Sequence, residues 1–314
     1  MAAPARKKPD WLRVRMPGGE RYRSLKETFR ALDLHTVCEE ARCPNIGECW
    51  GEGTATLMIL GETCTRGCRF CAVNTGSPEG IVDPREPENV GRALGELDLA
   101  YVVLTMVDRD DLLDGGAAHV ARTVQRIEHY SPELLVETLV GDFQGVRADV
   151  ETVVRDGRPD VFAHNVEVVP DLQRKMRDAR CSWERSIDVL RFARDAGANV
   201  TKSSLMVGCG ETGEQVLAAM RSLRDDAGVD VLTIGQYLRP TAKHAEVVRY
   251  VEPAEFDAWR EAGLAMGFRY VASGPLVRSS YRAAEAFLQG ILRGAGGFDD
   301  AFGRKTKRSL AVVG

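Results

Sequence analysis

Residues 54–71 read TATLMILGETCTRGCRFC, and this stretch decides the fold because it joins a strand to a cysteine-rich loop. Its first seven residues, Thr54–Leu60, are apolar or β-branched and predict a strand. Cys64, Cys68 and Cys71 follow at once, with the spacing C-x3-C-x2-C. Ligand-binding side chains on a loop that leaves a strand are typical of α/β proteins, whose sites lie at the carboxyl ends of parallel strands.

Strand-like and helix-like runs alternate along the rest of the chain. Six further strands are predicted at Ala100–Thr105, Leu134–Leu139, Val161–Ala163, Val200–Val207, Val231–Ile234 and Tyr270–Ala272. Helices are predicted at Glu88–Leu97, Ala117–His129, Arg147–Asp156, Trp183–Ala196, Gly213–Ala227 and Pro253–Met266, and Gly197, Gly228 and Gly267 follow three of them as left-handed caps. About six βα units predict an α/β fold with a partial or full TIM-type barrel rather than an open sheet.

Composition narrows the classes of function. The 314 residues include 42 Lys+Arg and 46 Asp+Glu, a net charge of −4, which argues against nucleic acid as the main partner. No apolar run approaches the ~20 residues of a membrane span, and no secretion signal begins the sequence. We therefore expect a cytoplasmic protein with no membrane partner, or an organelle protein whose leader is absent.

Six of the eight cysteines fall between residues 38 and 71. A disulfide framework is typical of small secreted chains, so metal ligation is the better interpretation, by zinc, copper(I) or an iron–sulfur cluster. Three thiolates on one tight loop can hold three irons of a cubic cluster and leave the fourth open to a small molecule. A second triplet, Cys38, Cys43 and Cys49, lies upstream of the barrel, where its spacing alone also allows a zinc knuckle.

The first triplet, with Phe70 before Cys71, resembles that of the radical S-adenosylmethionine enzymes. In that superfamily the open iron binds S-adenosylmethionine, whose reductive cleavage gives a 5′-deoxyadenosyl radical that abstracts hydrogen from carbon. The resemblance implies that Gly115 and Gly116 bind the methionine amino group and that the turn 208–211 receives the adenosyl part. It further implies contacts to S-adenosylmethionine from Asn165, Lys202 and Glu137, although a salt bridge for Lys202 and a strand-face charge for Glu137 are alternatives.

The segments TVCEEARCPNIGECW and CTRGCRFC together resemble the lipoyl synthase family, and the likeness continues through VDRDDLLDGGA, AHNVEVVP, TKSSLMVGCGET, TIGQYLRPT and GPLVRSSYRA, over about residues 20–285. The family implies a second, auxiliary 4Fe-4S cluster held by Cys38, Cys43, Cys49 and a serine. We assign this ligand to Ser280, with Ser279 as its competitor and helix capping as the alternative. An alkoxide oxygen suits the cluster less well than a thiolate, so Ser280 is also expected to act in catalysis by releasing its iron during turnover.

The resemblance implies an activity and partners. Such enzymes insert sulfur at carbons 6 and 8 of an octanoyl group on a carrier lysine, the sulfur coming from the auxiliary cluster. The implied partners are octanoylated carriers (2-oxoacid dehydrogenase E2 lipoyl domains and the glycine cleavage H protein), an electron donor such as ferredoxin or flavodoxin, and an iron–sulfur carrier for cluster repair. The alternatives are a biotin-synthase-like enzyme, which would give RSSY no role, and a non-catalytic metal-binding or electron-transfer module.

Three regions are expected along the chain. Residues 1–53 form a basic arm with the auxiliary cysteines, 54–276 the barrel, and 277–314 a C-terminal extension with the serine ligand, both extensions covering the barrel mouth. The arm has nine basic and three acidic residues in its first 30, which could steer an acidic carrier. Of the two remaining cysteines, Cys181 is expected to pack in the core, and Cys209 lies near the cofactor turn, where it could be sensitive to oxidation.

Overall fold

A parallel seven-stranded sheet forms the centre of the protein in a computed structural model that describes residues 9–12, 54–97 and 99–279. The strands in chain order are β1 (Thr54–Ile59), β2 (Thr63–Cys64), β3 (Asn74–Thr75), β4 (Tyr101–Met106), β5 (Leu135–Leu139), β6 (Val161–Ala163), β7 (Thr201–Val207), β8 (Val231–Gln236) and β9 (Tyr270–Gly274). All seven predicted strands are confirmed to within about two residues at each end. The short strands β2 and β3 form a separate parallel pair.

The large sheet runs in the order β1-β4-β5-β6-β7-β8-β9, so each strand pairs with the next one along the chain. This winding is that of a TIM-type barrel, and the connections between the strands are helical. Within the described residues no pairing joins β9 to β1, so the partial barrel of the two expected forms is the one observed.

The helices are α1 (Glu86–Gly95), α2 (Ala117–Tyr130), α3 (Arg147–Thr152), α4 (Gln173–Met176), α5 (Trp183–Asp195), α6 (Gly213–Asp225) and α7 (Pro253–Ala265). The predicted helix over 147–156 is α3 followed by a π-helical turn, Val153–Gly157. Gly197, Gly228 and Gly267 have φ values of 98°, 65° and 92°, which confirms the left-handed caps. None of the described helices is long and apolar enough to cross a lipid bilayer.

Side chains alternate between the two faces of the sheet, as the period of a strand requires. In β4, Val102 and Leu104 pack outward against the helices, whereas Tyr101 and Val103 join a cluster inside the barrel. That inner cluster also contains the buried residues Val161, Val200 and Val231, which lie at or just before the starts of their strands. The interior is therefore filled by apolar side chains at the amino ends of the strands.

Several predictions lie outside the described residues. These are the auxiliary ligands Cys38, Cys43, Cys49 and Ser280, the basic arm, and most of the C-terminal extension. The proposed division at residues 53 and 276 stays a prediction.

Candidate active site

The loop that carries the first cysteine triplet, residues 61–76 and called the cysteine loop below, leaves the carboxyl end of β1. Leu60 and Gly61 turn the chain with positive φ values of 67° and 85°. The loop then returns on itself, because β2 pairs with β3 and the Gly76 N–H donates to the Cys64 carbonyl at 3.0 Å. Its three cysteines are half-buried free thiols.

Backbone hydrogen bonds fix the cysteine loop to its neighbours. The Thr65 N–H donates to the Asp108 carbonyl at 2.9 Å, just beyond the end of β4. The Arg69 N–H donates to the Met176 carbonyl at 2.8 Å, at the end of α4. A helix as short as α4 was not predicted, and its function here is to support the loop.

Arg66, between the first two cysteines, is only 3% exposed, and its side chain anchors the loop. Its guanidinium donates to both carboxylate oxygens of Asp110 at 2.9 and 2.7 Å and to Asp142 Oδ1 at 2.6 Å. Burial by itself would raise the pKa of the Asp142 carboxyl, but Arg66 outweighs that effect and lowers it. Sequence reasoning missed this role, although the DRDD run after the second strand marks the carboxylates that a buried arginine needs.

Arg180 clamps the same loop from the solvent side. It donates to the Thr65 carbonyl at 2.7 Å, to Asp110 Oδ2 at 3.0 Å and to Asp178 Oδ1 at 2.8 Å. Asp178 in turn accepts the Gly67 N–H at 2.9 Å. Two arginines and three carboxylates thus set the path of the loop, so the positions of its thiols do not depend on a bound group alone.

The surroundings of all three thiols raise their pKa values. Burial raises the pKa of Cys71 to about 11, and burial is also the main reason that the pKa of Cys64 is raised. A hydrogen bond with the Cys181 thiol raises the pKa of Cys68. Metal ligation requires thiolates, so binding a metal here releases protons.

The donor set fits a polynuclear cluster. Among residues 9–12, 54–97 and 99–279, no three His, Cys, Asp or Glu side chains converge to bind a single metal ion. In a cubic cluster each thiolate binds a different iron, so three cysteines on one loop are a suitable donor set for three of the four irons.

Cys181 is buried as predicted, but its position also has a consequence for the site. Its thiol accepts a hydrogen bond from Arg66 Nη1 at 3.4 Å and lies beside Cys68. The hydrogen bond with Cys68 lowers the pKa of Cys181, and the positive charges of Arg177 and Arg66 act in the same direction. The core at this point is therefore polar, which the sequence around residue 181 did not indicate.

Gly115 and Gly116 lie next to the base of the cysteine loop. Both have positive φ values, 59° and 92°, and a Cβ on Gly116 would lie 2.5 Å from Leu60 Cδ1, so only glycine fits against the end of β1. Gly116 is the residue that precedes α2, and its N–H donates to Asp114 Oδ1 at 2.9 Å. These glycines therefore adjoin the cysteine loop. Their contact to the methionine amino group stays a prediction.

The turn 208–211 also reaches the cysteine loop. Gly208 has a φ of 92°, and a Cβ there would lie 2.5 Å from the Arg249 carbonyl. The Glu211 carboxylate accepts the N–H groups of Gly208 and Cys209, which holds the turn closed. Cys209 is buried, packs with residues that include Phe70 of the loop, and has a pKa raised by burial, so the expected sensitivity to oxidation is not favoured.

Asn165 is half-buried just after β6 and donates to Glu167 Oε1 at 3.1 Å. Burial raises the pKa of Glu167, and the negative charge of Glu167 contributes to the raised pKa of Cys71. Asn165 therefore belongs to the same end of the barrel as the cysteine loop, and its contact to S-adenosylmethionine stays a prediction.

Lys202 and Glu137 form a buried ion pair on the inner face of the sheet. Lys202 Nζ donates to both oxygens of Glu137 at 2.8 and 2.7 Å, and the Tyr101 hydroxyl donates to the same carboxylate at 2.8 Å. This pair is the alternative that the sequence left open for both residues. Because each charge is already compensated, a direct role with S-adenosylmethionine stays a prediction.

His164, to which the sequence assigned no chemistry, is a satisfied core histidine. Its ring nitrogens contact the Val140 carbonyl at 2.9 Å and Ser186 Oγ at 3.0 Å. Burial, assisted by the positive charge of Arg177, lowers its pKa to about 4, so the ring is neutral at pH 7. Ser279, the competitor for the auxiliary ligand, is a half-buried turn residue at the end of the described chain.

A parallel partial barrel with a three-cysteine loop after its first strand defines the class of protein. The sequence model of the Radical SAM superfamily matches residues 58–223, so the chain is a radical S-adenosylmethionine protein. The solved structure of methylornithine synthase has the same fold, with a TM-score of 0.54 and 16% identity over 77% of this chain and 73% of that one.

The more specific comparisons agree with each other. The N-terminal domain of lipoyl synthase matches residues 2–43. A lipoyl synthase of Sorangium cellulosum (strain So ce56) is 62% identical over 300 residues, 91% of this chain and 80% of that protein. The mitochondrial lipoyl synthase of Rattus norvegicus is 54% identical over 290 residues, 90% of this chain and 77% of that one. The chain belongs to the lipoyl synthase family.

Proposed function

We propose that this chain inserts two sulfur atoms, at carbons 6 and 8, into an octanoyl group bound to a lysine of a carrier protein. The observation that carries the proposal is the cysteine loop, clamped by Arg66 and Arg180 at the carboxyl end of a parallel barrel. The apolar inner cluster fills the barrel at the other end, so reactants must enter from the end where the loop lies.

Two cofactors would bind to this chain's residues. Cys64, Cys68 and Cys71 would hold a 4Fe-4S cluster, and Cys38, Cys43, Cys49 and Ser280 would hold the auxiliary 4Fe-4S cluster. With S-adenosyl-L-methionine bound, the first cluster supplies radical chemistry at unactivated carbon, and the second supplies sulfur. The protein's part is to hold the loop in place and to exclude water and thiols that would quench a reactive carbon.

The partners follow from this function. The substrates are octanoylated lipoyl carriers, for which we propose 2-oxoacid dehydrogenase E2 lipoyl domains and the glycine cleavage H protein. A one-electron donor such as ferredoxin or flavodoxin reduces the first cluster, and an iron–sulfur carrier rebuilds the second. Clustered thiols need a reducing compartment, which supports a cytoplasmic location.

The test is a reaction under anaerobic conditions with an octanoyl-lysine peptide, S-adenosylmethionine and a chemical reductant. Mass spectrometry should show a peptide in which two sulfur atoms have replaced two hydrogens. Cys68→Ala should give no product, whereas Arg122→Ala, an exposed change on α2, should leave the yield unchanged. Sulfur insertion into a free small molecule instead of the peptide would support the biotin-synthase-like alternative, and no product at all would contradict the proposal.

The assignment of Ser280 has its own matched pair. Ser280→Cys should bind iron normally but form less product, because a thiolate releases iron less readily than an alkoxide. Ser279→Cys, one residue earlier, should react as the wild type does. The reverse result would assign the ligand to Ser279, and equal activity of both variants would contradict the expected role of the serine.

A further inference from the structure

Five exposed cations surround the outside of the cysteine loop, and we call this set, Arg69, Arg174, Lys175, Arg239 and Lys243, the basic collar. Residues 61–76, 171–176 and 239–246, which carry the collar, also expose three acids, Glu62, Asp171 and Glu246, so the local balance is 5 − 3 = +2 in a chain whose net charge is −4. A local excess opposite in sign to the net charge is the electrostatic mark of a docking surface.

We infer that the basic collar docks an acidic one-electron redox protein that reduces the cluster of the cysteine loop. This inference rests on the proposed function, since it names the face at which that function receives its electrons. It concerns a surface of the described chain, separate from the basic arm at residues 1–30.

The collar is joined directly to the cysteine loop. Arg69 belongs to the loop itself, next to Cys68, and the Ala245 N–H donates to its carbonyl at 2.8 Å. His244 Nε2 contacts the Cys71 carbonyl at 2.9 Å. Lys243 precedes these two residues, so the cation is carried by the segment that is hydrogen-bonded to the loop.

The second side of the collar is carried by α4. Arg69 is hydrogen-bonded to the Met176 carbonyl at 2.8 Å, and its Nη1 donates to the Lys175 carbonyl at 3.4 Å. Met176 is buried while Arg174 and Lys175 are exposed, so α4 buries its apolar side and presents its charges outward. The loop cation therefore lies between two groups of exposed cations.

A buried cluster gives the collar a fixed base. Met176, Cys209, Tyr237 and Ala245 pack together with Phe70 of the loop. The Tyr237 hydroxyl donates to the Ala245 carbonyl at 2.8 Å, and Arg239 Nε donates to the His244 carbonyl at 2.9 Å. A partner that binds this surface would meet charges carried on a fixed backbone rather than on a loose loop.

The collar cations differ from the arginines that build the fold. Arg66 and Arg180 are neutralised by carboxylates. Within the part of the chain that the structure describes, the side chains of Arg174, Lys175 and Lys243 form no ion pair or hydrogen bond, and the pairing of Arg239 with Glu246 is long, at 3.8 Å. The charges of Arg174, Lys175 and Lys243 are therefore not neutralised within the described residues and remain available to a partner.

Of the two kinds of acidic partner, an electron donor and an acylated carrier, the position of the collar favours the electron donor. The rate of electron tunnelling falls exponentially with distance, so a donor has to dock beside the cluster that it reduces. The collar meets this condition, since one of its members is the residue after a proposed cluster ligand. An acylated carrier has the different task of delivering its lysine arm into the barrel.

The test compares two charge-reversed pairs in the reconstituted full-length protein. Arg174→Glu with Lys243→Glu alters the collar, and Arg122→Glu with Arg221→Glu alters exposed residues of α2 and α6 to the same net charge. Reduction of the cluster is followed by anaerobic stopped-flow absorbance, once with reduced flavodoxin and once with reduced methyl viologen, a small cation that needs no docking surface.

We expect the collar pair to lower the second-order rate constant with flavodoxin at least ~10-fold at low ionic strength and less at high salt. Its rate with methyl viologen and its iron content should match those of the wild type, and the control pair should be reduced at the wild-type rate by both donors.

Equal rates with flavodoxin in both pairs would overturn the inference. So would a collar pair that keeps its donor rate but raises KM for an octanoylated carrier, because the face would then bind the carrier. Failure of the proposed function is distinguishable, since wild-type protein reduced by methyl viologen would then form no product.

Discussion

The two ends of the barrel are held together in different ways. At the amino ends of the strands, apolar side chains such as Tyr101, Val161 and Val231 fill the interior. At the carboxyl ends, Arg66 and Arg180 tie the cysteine loop to carboxylates and backbone carbonyls. The amino end is therefore stabilised by the burial of apolar side chains, while the end that carries the site depends on a small number of charged groups.

The largest effect should come from removing the central charge at the carboxyl end. Arg66→Met removes the main partner of the buried Asp142 carboxylate and one of the two arginine partners of the half-buried Asp110, which should cost about 3–5 kcal/mol of unfolding free energy. The iron content should fall as well, because the loop loses its anchor. Anaerobic urea denaturation and iron analysis measure both. Arg122→Met, at an exposed position of α2, should change the stability by less than about 0.5 kcal/mol, and an equal loss in the two variants would contradict the account.

The carboxyl end should also be the pH-sensitive end. His164 has a pKa lowered from 6.5 to about 4, chiefly by burial, so below pH 6.5 the unfolded chain takes up a proton that the folded protein refuses. Its contribution to stability is therefore complete above pH 6.5 and declines by about 3 kcal/mol as the pH falls to 4.

His164→Gln should flatten this decline when unfolding free energies are compared between pH 7 and pH 4. His129→Gln, at an exposed position of α2, should keep it. A decline of unchanged size in His164→Gln would mean that other groups at this end control the acid sensitivity.

At the amino end a substitution should affect stability alone. Val161→Ala removes buried methyl groups from the inner cluster and should cost about 2 kcal/mol. Iron content and product yield at a temperature where the variant is folded should equal those of the wild type. Loss of iron from Val161→Ala would show that the two ends are coupled, contrary to the independence expected of them.

The smallest effect on stability is expected at the outer clamp. Arg180 is half-exposed, so Arg180→Ala should cost about 1 kcal/mol. Its effect on the loop should be larger, because Thr65 and Asp178 lose a shared donor. Iron release to a ferrous chelator should be faster than in wild type, whereas Arg155→Ala, which removes an exposed pairing with Glu151 on an outer helix, should release iron at the wild-type rate.

Local pattern was sufficient to predict most of the fold. Strand β4 shows why, since its residues alternate between the inner cluster and the helix-facing core in the way that its apolar sequence indicates. The cysteine spacing likewise identified the loop that carries the proposed ligands. Helix α4 is too short to produce a periodic pattern, and its supporting role follows from contacts that only the folded chain has.

The partners of charged residues were harder to predict, for a physical reason. Lys202 and Glu137 are 65 positions apart, and they meet because their strands place both side chains inside the barrel. Arg66 and Asp142 are 76 positions apart, and they meet because their loops follow two strands of the same sheet. A sequence shows that a buried charge needs a partner, but the choice of partner is set by strand order and register.

The presence of two clusters in one chain is tested most directly by the iron and sulfide content of anaerobically purified protein, with and without the ligands of the cysteine loop. The wild type should contain about eight irons per chain, as two cubic clusters require, and Cys64→Ala with Cys68→Ala and Cys71→Ala should contain about four. Stoichiometric zinc in the wild type, or an iron content unchanged by the three substitutions, would contradict it.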